Sequence, residues 1–213
     1  IAERGKAAYL AIGIASGYRA HPLNTTIEDR IYLLKDNNVY TPPSGGYTTL
    51  TESDLFDATL NLVAGDGNST QNAAALSGLD SSDGWFIKLD DETVAANYVG
   101  EKGLSETLFI EGTLIVTTYI PDDPSLASSN CSKDSSGSGK VFFLDVLDAS
   151  AAYPSSGDVR PDRHVALSKE GIPPSPNVII TKGGEPTLCI GTECQSANFS
   201  KGARRTFWYE VEK

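Results

Sequence analysis

The chain has 213 residues, 39% hydrophobic and 21% charged, with a formal net charge of -11. That size suits one large all-β domain or two small domains, and the balance is globular rather than disordered. The negative charge argues against a nucleic-acid partner, because phosphates are bound by Lys and Arg that release counterions.

No apolar run reaches the length of about 18 residues that a membrane helix needs, and no signal peptide is visible. The chain starts at Ile1 and contains no Met. It therefore reads as the C-terminal portion of a longer protein, with any targeting segment upstream.

In chain order, the first strand signal is "AAYLAIGI" (7–14). It runs into "GYRAHPLN" (17–24), where Pro22 pushes His21 toward an extended conformation. This reads as a corner in which Arg19, His21 and Asn24 hydrogen-bond neighbouring backbone. A catalytic reading would need a nucleophile and an orienting acid. Asp29 and many Ser residues are present, but no G-x-S-x-G elbow is. Strands follow at "RIYLLKD" (30–36) and "NVYT" (38–41).

"TESDLFDATLNLV" breaks the β pattern. Thr51 and Asp54 approximate a capping box, and Leu55, Thr59 and Leu62, or Phe56, Leu60 and Val63, share a helical face, so a helix is expected over about 51–64. "AGDGNSTQNAAALSGLDSSDG" then reads as a loop with at most a helical turn at 71–76. Asp66, Asn68 and Thr70 alternate as in a calcium loop, but no closing acid follows; the carboxylates of "PDDPS" (121–125) have no regular spacing. Both read as ordinary loops.

Further strand signals are "GWFIKLD" (84–90), "ETVAANYV" (92–99), "ETLFIEG" (106–112), "GTLIVTTYI" (112–120), "KVFFLDV" (140–146), "NVIITKG" (177–183) and "RTFWYEVE" (205–212). A hairpin is expected to turn at Glu111–Gly112, with Gly supplying positive φ. In "GTLIVTTYI" the apolar residues do not alternate, which predicts burial on both faces. Loops 121–139 and 150–176 are long and polar, as binding surfaces or insertions are. His164, within the second, reads as a surface or satisfied histidine. "GWFIKLD", "GTLIVTTYI" and "GKVFFLDVLDA" share a Gly–apolar plan, and such repetition favours a β-propeller over a sandwich or barrel.

Three cysteines, Cys131, Cys189 and Cys194, could form three different single bridges. "CIGTEC" can close if its Cα atoms come within about 7 Å, so Cys189–Cys194 is the expected disulfide, as in exported, loop-rich proteins. Cys131 would then be free or paired outside the chain. The spacing does not suit zinc.

"GYRAHPLN", "DRIYLLKD", "GWFIKLD", "GTLIVTTYIP", "GKVFFLD", "GIPPSPNVII" and "RRTFWYEV" occur in an order that resembles the C-terminal domain of the PilC/PilY family. These are type IV pilus biogenesis factors and pilus tip adhesins. The resemblance spans Ala7 to Glu210 and rests on order rather than on any one motif. It implies that residues 1–213 are the C-terminal part of a modified β-propeller whose N-terminal remainder lies outside the chain. It also implies export through the periplasm to the cell surface, association with the outer membrane and the pilus tip, and no enzymatic activity. The partners implied are minor pilins, a surface or host-cell receptor, and the N-terminal part of the same protein. The family's calcium loop of alternating Asp/Asn is not found here; it either lies upstream of Ile1, where calcium would then be held, or is absent, and no cofactor or metal residue is carried over. Two alternatives stand beside this reading. One is a quinoprotein-like β-propeller dehydrogenase. The other is a carbohydrate-binding β-propeller module that stacks sugars on Trp85 or Trp208, although apolar neighbours make both tryptophans better core residues.

Overall fold

The computed structural model describes residues 2–4, 7–38, 42–89, 99–122, 136–152, 159–180 and 186–196. Cys131, Trp208 and the expected strands at 38–41, 92–99 and 205–212 lie outside these residues, wholly or for the most part. Parts of loops 121–139 and 150–176 do so too.

The described strands form open sheets, none closed into a barrel. The first contains β1 (Ala2–Arg4), β2 (Ala7–Ala15), β3 (Arg30–Asp36), β4 (Phe56–Asp57) and β5 (Gly84–Lys88), in the order β1-β2-β3-β5-β4. Its pairs are antiparallel except β4 with β5. The second contains β6 (Lys102–Gly103), β7 (Leu108–Ile110), β8 (Thr113–Ile120), β9 (Ser138–Asp145) and β10 (His164–Ala166), in the order β10-β9-β8-β6, with β7 also paired to β8. The third is β11 (Pro176–Ile180), β12 (Pro186–Ile190) and β13 (Glu193–Ser196).

The burial pattern states how these sheets are layered. β3 alternates, with Ile31, Leu33 and Lys35 buried and the residues between them half-exposed, as expected when one face is covered. β8 is buried from Thr113 through Tyr119, so both of its faces are covered. One core joins Ile31, Leu33, Trp85 and Ile87 of the first sheet to Leu114, Val116, Phe142 and Leu144 of the second. A second core lies on the opposite face, where Ile115, Val141 and Phe143 meet Leu188 and Ile190 of the third sheet. Trp85 is fully buried and its indole N–H donates to Val146 O at 3.1 Å. It is a core residue and offers no stacking platform for a sugar.

The hairpin at Glu111–Gly112 forms as the sequence predicts. Both residues have positive φ, 47° and 80°, and Ile110 pairs with Thr113 across them. This is the two-residue geometry whose twist matches paired strands.

The helix expected over about 51–64 is not formed. Thr51 and Asp54 do cap, since the Asp54 carboxylate accepts from the Thr51 amide and hydroxyl at 2.8 Å each. They cap only a 3-10 turn, Glu52–Asp54. Phe56 and Asp57 are instead drawn onto the edge of β5, opposite Trp85 and Phe86, and the Ala58 amide donates to Phe86 O. A strand edge with unpaired carbonyls outcompetes a marginal helix. Among the described residues the α-helix is α1, Ser69–Ser81. Asn68 caps it by accepting from the amides of Thr70 and Gln71, and Gln71 accepts from the Asn68 amide. Its apolar stripe is thin, with Ala75 and Leu79 the buried residues, which explains why periodicity did not reveal it.

Gly84 occupies φ 153°, and a Cβ there would stand 2.0 Å from Leu33 O. Gly84→Ala should lower stability by about 3 kcal/mol or more, since the clash is with backbone that cannot yield. Gly45→Ala, with open space around the added carbon, should change it by no more than about 0.5 kcal/mol. Denaturant melts of the two variants check the contrast.

Candidate functional site

The segment 16–29 joins β2 to β3 and is a corner. Successive turns are closed by the His21 amide on Tyr18 O and the Asn24 amide on His21 O. The Arg19 guanidinium reaches across to donate to Leu104 O at 2.6 Å. Asn24 Oδ1 accepts from the amide and hydroxyl of Thr26 at 2.8 Å each. His21 packs its ring on Tyr18, with centroids 4.8 Å apart. The corner expected from the sequence is therefore present, with Arg19 as its long-range tie and Asn24 as a local one.

Behind the corner the apolar layer gives way to polar side chains. Asp29 is buried and accepts from Ser16 Oγ at 2.8 Å, while that oxygen accepts from the Arg30 amide. Lys102 is buried beside it and donates to Asn24 O at 2.7 Å and to Gly100 O. Burial lowers the Lys102 pKa, and the Asp29 charge opposes that shift. Glu101, also buried, accepts from Thr118 Oγ1 at 2.5 Å and from Lys140 Nζ at 3.0 Å. Thr118 and Lys140 are cross-strand partners on β8 and β9, so one carboxylate ties both strands to the start of β6. A cleft of about 460 Å³ opens nearby, lined by Arg19, Leu104, Ser105, Glu106 and Ser175 among others.

Two further buried cations act in the same way. Lys35 donates to Leu79 O at 2.5 Å and to Ser82 O at 3.0 Å, carbonyls at the C-terminal end of α1, where positive charge is favourable. Arg163 donates to Ala58 O at 2.7 Å. Lys35 was legible in principle, because it sits at the inward phase of "RIYLLKD" after Ile31 and Leu33. Glu101, Lys102 and Arg163 carry no local signal, since their partners are distant in sequence.

This arrangement ties loops to the sheets. Ser16 hydrogen-bonds a carboxylate with no imidazole between them, and each of these cations is engaged with backbone carbonyls. His164 packs on Phe142, with centroids 5.1 Å apart. Several oxygens of "DGNSTQN" are engaged within the fold. Asp66 accepts from the amides of Asn61 and Arg160, and Asn68 caps α1. Asp122 accepts from the Gly137 amide at 2.9 Å. Among the described residues, no group of three His, Cys, Asp or Glu is placed to hold a metal ion.

The third sheet carries the disulfide. Cys189 and Cys194 face each other across the β12–β13 hairpin, bridged, with Cα atoms 4.1 Å apart. Beside them Glu193 accepts from the amides of Ser168 at 3.0 Å and Lys169 at 2.6 Å. These bonds, the Ser168 amide first, hold its carboxyl below the ordinary range.

Peptide mapping without reductant should recover Cys189 linked to Cys194; alkylation of both in the native protein would contradict this. A depressed carboxyl pKa stabilises at neutral pH, and the contribution is lost as pH falls through the lowered value. The protection of the Ser168 and Lys169 amides against exchange, taken relative to the intrinsic rate at each pH, should thus persist until the pH is below the usual Glu range and then fall. Glu193→Gln should make exchange at both amides faster at neutral pH.

No family model matches this chain, and no curated protein does. Among solved structures, the fold is similar to that of the Pseudomonas aeruginosa PilY1 C-terminal domain, at a TM-score of 0.55 and 15% sequence identity. The similarity covers 92% of this chain and 45% of that one, so the chain spans less than half the length of the structure it matches.

Proposed function

We propose that the chain is the C-terminal part of a modified β-propeller in a cell-surface, type IV pilus tip-associated adhesin and assembly factor. It promotes pilus extension against retraction and attachment to surfaces or host cells. The observation that carries this reading is the fold similarity to a PilY1 C-terminal domain over 92% of the chain, together with the order of sequence motifs along the same span. The stacking of open, mainly antiparallel sheets is consistent with successive propeller blades. The disulfide suits export into an oxidising compartment. On this reading the protein has no enzymatic role, its partners are minor pilins and a surface receptor, and any calcium is held upstream.

Recognition is assigned to the loops, because the inward residues of the strands are committed to packing. Loop 121–139 leaves from Ile120 and returns at Ser138, which are paired partners in the β8–β9 ladder. Replacing residues 123–135 with a short Gly-Ser linker should leave the melting transition nearly unchanged, since halving a loop changes closure by only about 0.6 kcal/mol. In the native host the same variant should reduce surface attachment or the yield of sheared pili. Deleting the whole gene should abolish both, and removing the retraction motor as well should restore pili. Wild-type piliation and attachment after deletion would refute the reading.

A further inference from the structure

A groove runs across the end of the first sheet, where β3 leaves it and β5 enters it. Three segments build it. Asp36 Oδ1 accepts from the Asn38 amide at 2.8 Å, so β3 stops in a turn with Asn37 and Asn38 exposed. The Lys35 amide donates to Asp83 O at 2.8 Å, which sets Asp83 beside that turn, one residue before β5. In the third segment the Gly46 amide closes a turn on Pro43 O, and Tyr47 follows it, 74% exposed. Two hollows open along the groove, of about 390 and 340 Å³, each of a size that small-ligand sites have. They meet at Asn37 and Asp83, which line both. The first has an apolar part, Ile12, Leu34, Tyr47 and Leu50, and a polar part, Asp36, Asn37, Asn38 and Asp83. The second continues over Asp80, Ser81 and Ser82 at the end of α1.

We propose that this groove binds a neutral oligosaccharide, with Tyr47 as the stacking platform and Asn37, Asn38 and Asp83 as partners for its hydroxyls. The chemistry of the lining selects that class. A sugar ring has an apolar C–H face and a rim of hydroxyls that both donate and accept. An exposed aromatic ring suits the face, a part that buried Trp85 cannot play. Side-chain amides, which also donate and accept, suit the rim. A Lys or Arg side chain of a protein partner only donates. It would pair with Asp36 and Asp83 and leave the amide N–H groups unmet. An acidic or phosphorylated ligand would meet the carboxylates of Asp36, Asp80 and Asp83, while the Lys35 ammonium is turned onto Leu79 O and Ser82 O. An apolar peptide would cover the same polar groups without replacing their water, which is costly. Two hollows that share a lining suit a chain of sugar units rather than one. The inference stands on this groove and not on any role in pili.

The test is a printed array of neutral, sialylated and sulfated glycans, probed with the labelled full-length protein. Calorimetric titration of the strongest neutral binder follows. Neutral oligosaccharides should bind. Tyr47→Ala should weaken the titrated affinity at least about tenfold, and Tyr47→Phe, which keeps the ring, by no more than about twofold. Raising NaCl from about 0.05 to about 0.5 M should leave it within about twofold, because no charge pair is screened. Tyr47 is exposed, so the alanine variant should melt with the wild type. Asn37→Ala, at a second exposed position, should weaken binding about fivefold or more through the lost hydrogen bonds. Several results would overturn the proposal: no neutral glycan bound, binding confined to sialylated or sulfated glycans, or neutral binding that both alanine variants leave intact. Hexalysine that displaces the sugar at low salt but not at high salt would give the groove to a cationic partner and overturn it too. None of these readouts involves piliation, so this inference and the pilus reading can fail separately.

Discussion

The constraint on which the rest depends is the burial of the second sheet on both faces. Leu114, Val116, Phe142 and Leu144 pack toward the first sheet, while Ile115, Val141 and Phe143 pack toward the third. A sheet in that position disfavours a polar phase; β8 is aliphatic from Leu114 to Val116, and the hydroxyls of Thr117 and Thr118 that follow are satisfied by Pro174 O and Glu101. Stacked sheets lie about 10 Å apart, and side-chain size must be matched across the gap. Phe109 and Leu114 reach toward β2, so β2 answers with glycine and alanine.

Aliphatic stacking fixes the layers but says little about the loops that leave them. That task falls to cations, of which Lys35, Lys102 and Arg163 are buried. An ammonium or guanidinium out of water is costly unless its donors are met, and charge-assisted hydrogen bonds are the stronger class. Arg19, Lys35, Lys102 and Arg163 each donate to a backbone carbonyl of a distant segment. The result ties the corner 16–29, the end of α1 and the start of β4's following turn to the sheets. Glu101 adds a carboxylate that joins β6, β8 and β9 at one point.

A scaffold of this kind separates two duties. Strand interiors carry packing, and connections are free to vary. The β8–β9 connection is the clearest case, because its ends are held together by a strand pair and by Asp122 on the Gly137 amide. Whatever lies between can change without altering the ladder.

What the sequence determined by itself was local or periodic. "RIYLLKD" alternates because one face is covered, "GTLIVTTYI" does not because two are, and Glu111–Gly112 turns because two positive φ angles are needed there. The cysteine spacing singled out Cys189 and Cys194. The corner at 17–24 was legible from Pro22 and its polar neighbours, although the tie from Arg19 to Leu104 was not. What only the tertiary structure decided was set by partners far away in the chain. Residues 56–57 became a strand because β5 had a free edge, overriding a helical pattern and a real capping box. α1 formed further on, held by Asn68 at one end and Lys35 at the other, with too thin an apolar stripe to announce itself. Glu101, Lys102 and Arg163 became structural because folding carried them to carbonyls and hydroxyls some 17 to 105 residues distant. Periodicity reports which face of an element is covered; it cannot report what covers it, because that depends on contacts between segments with no fixed spacing.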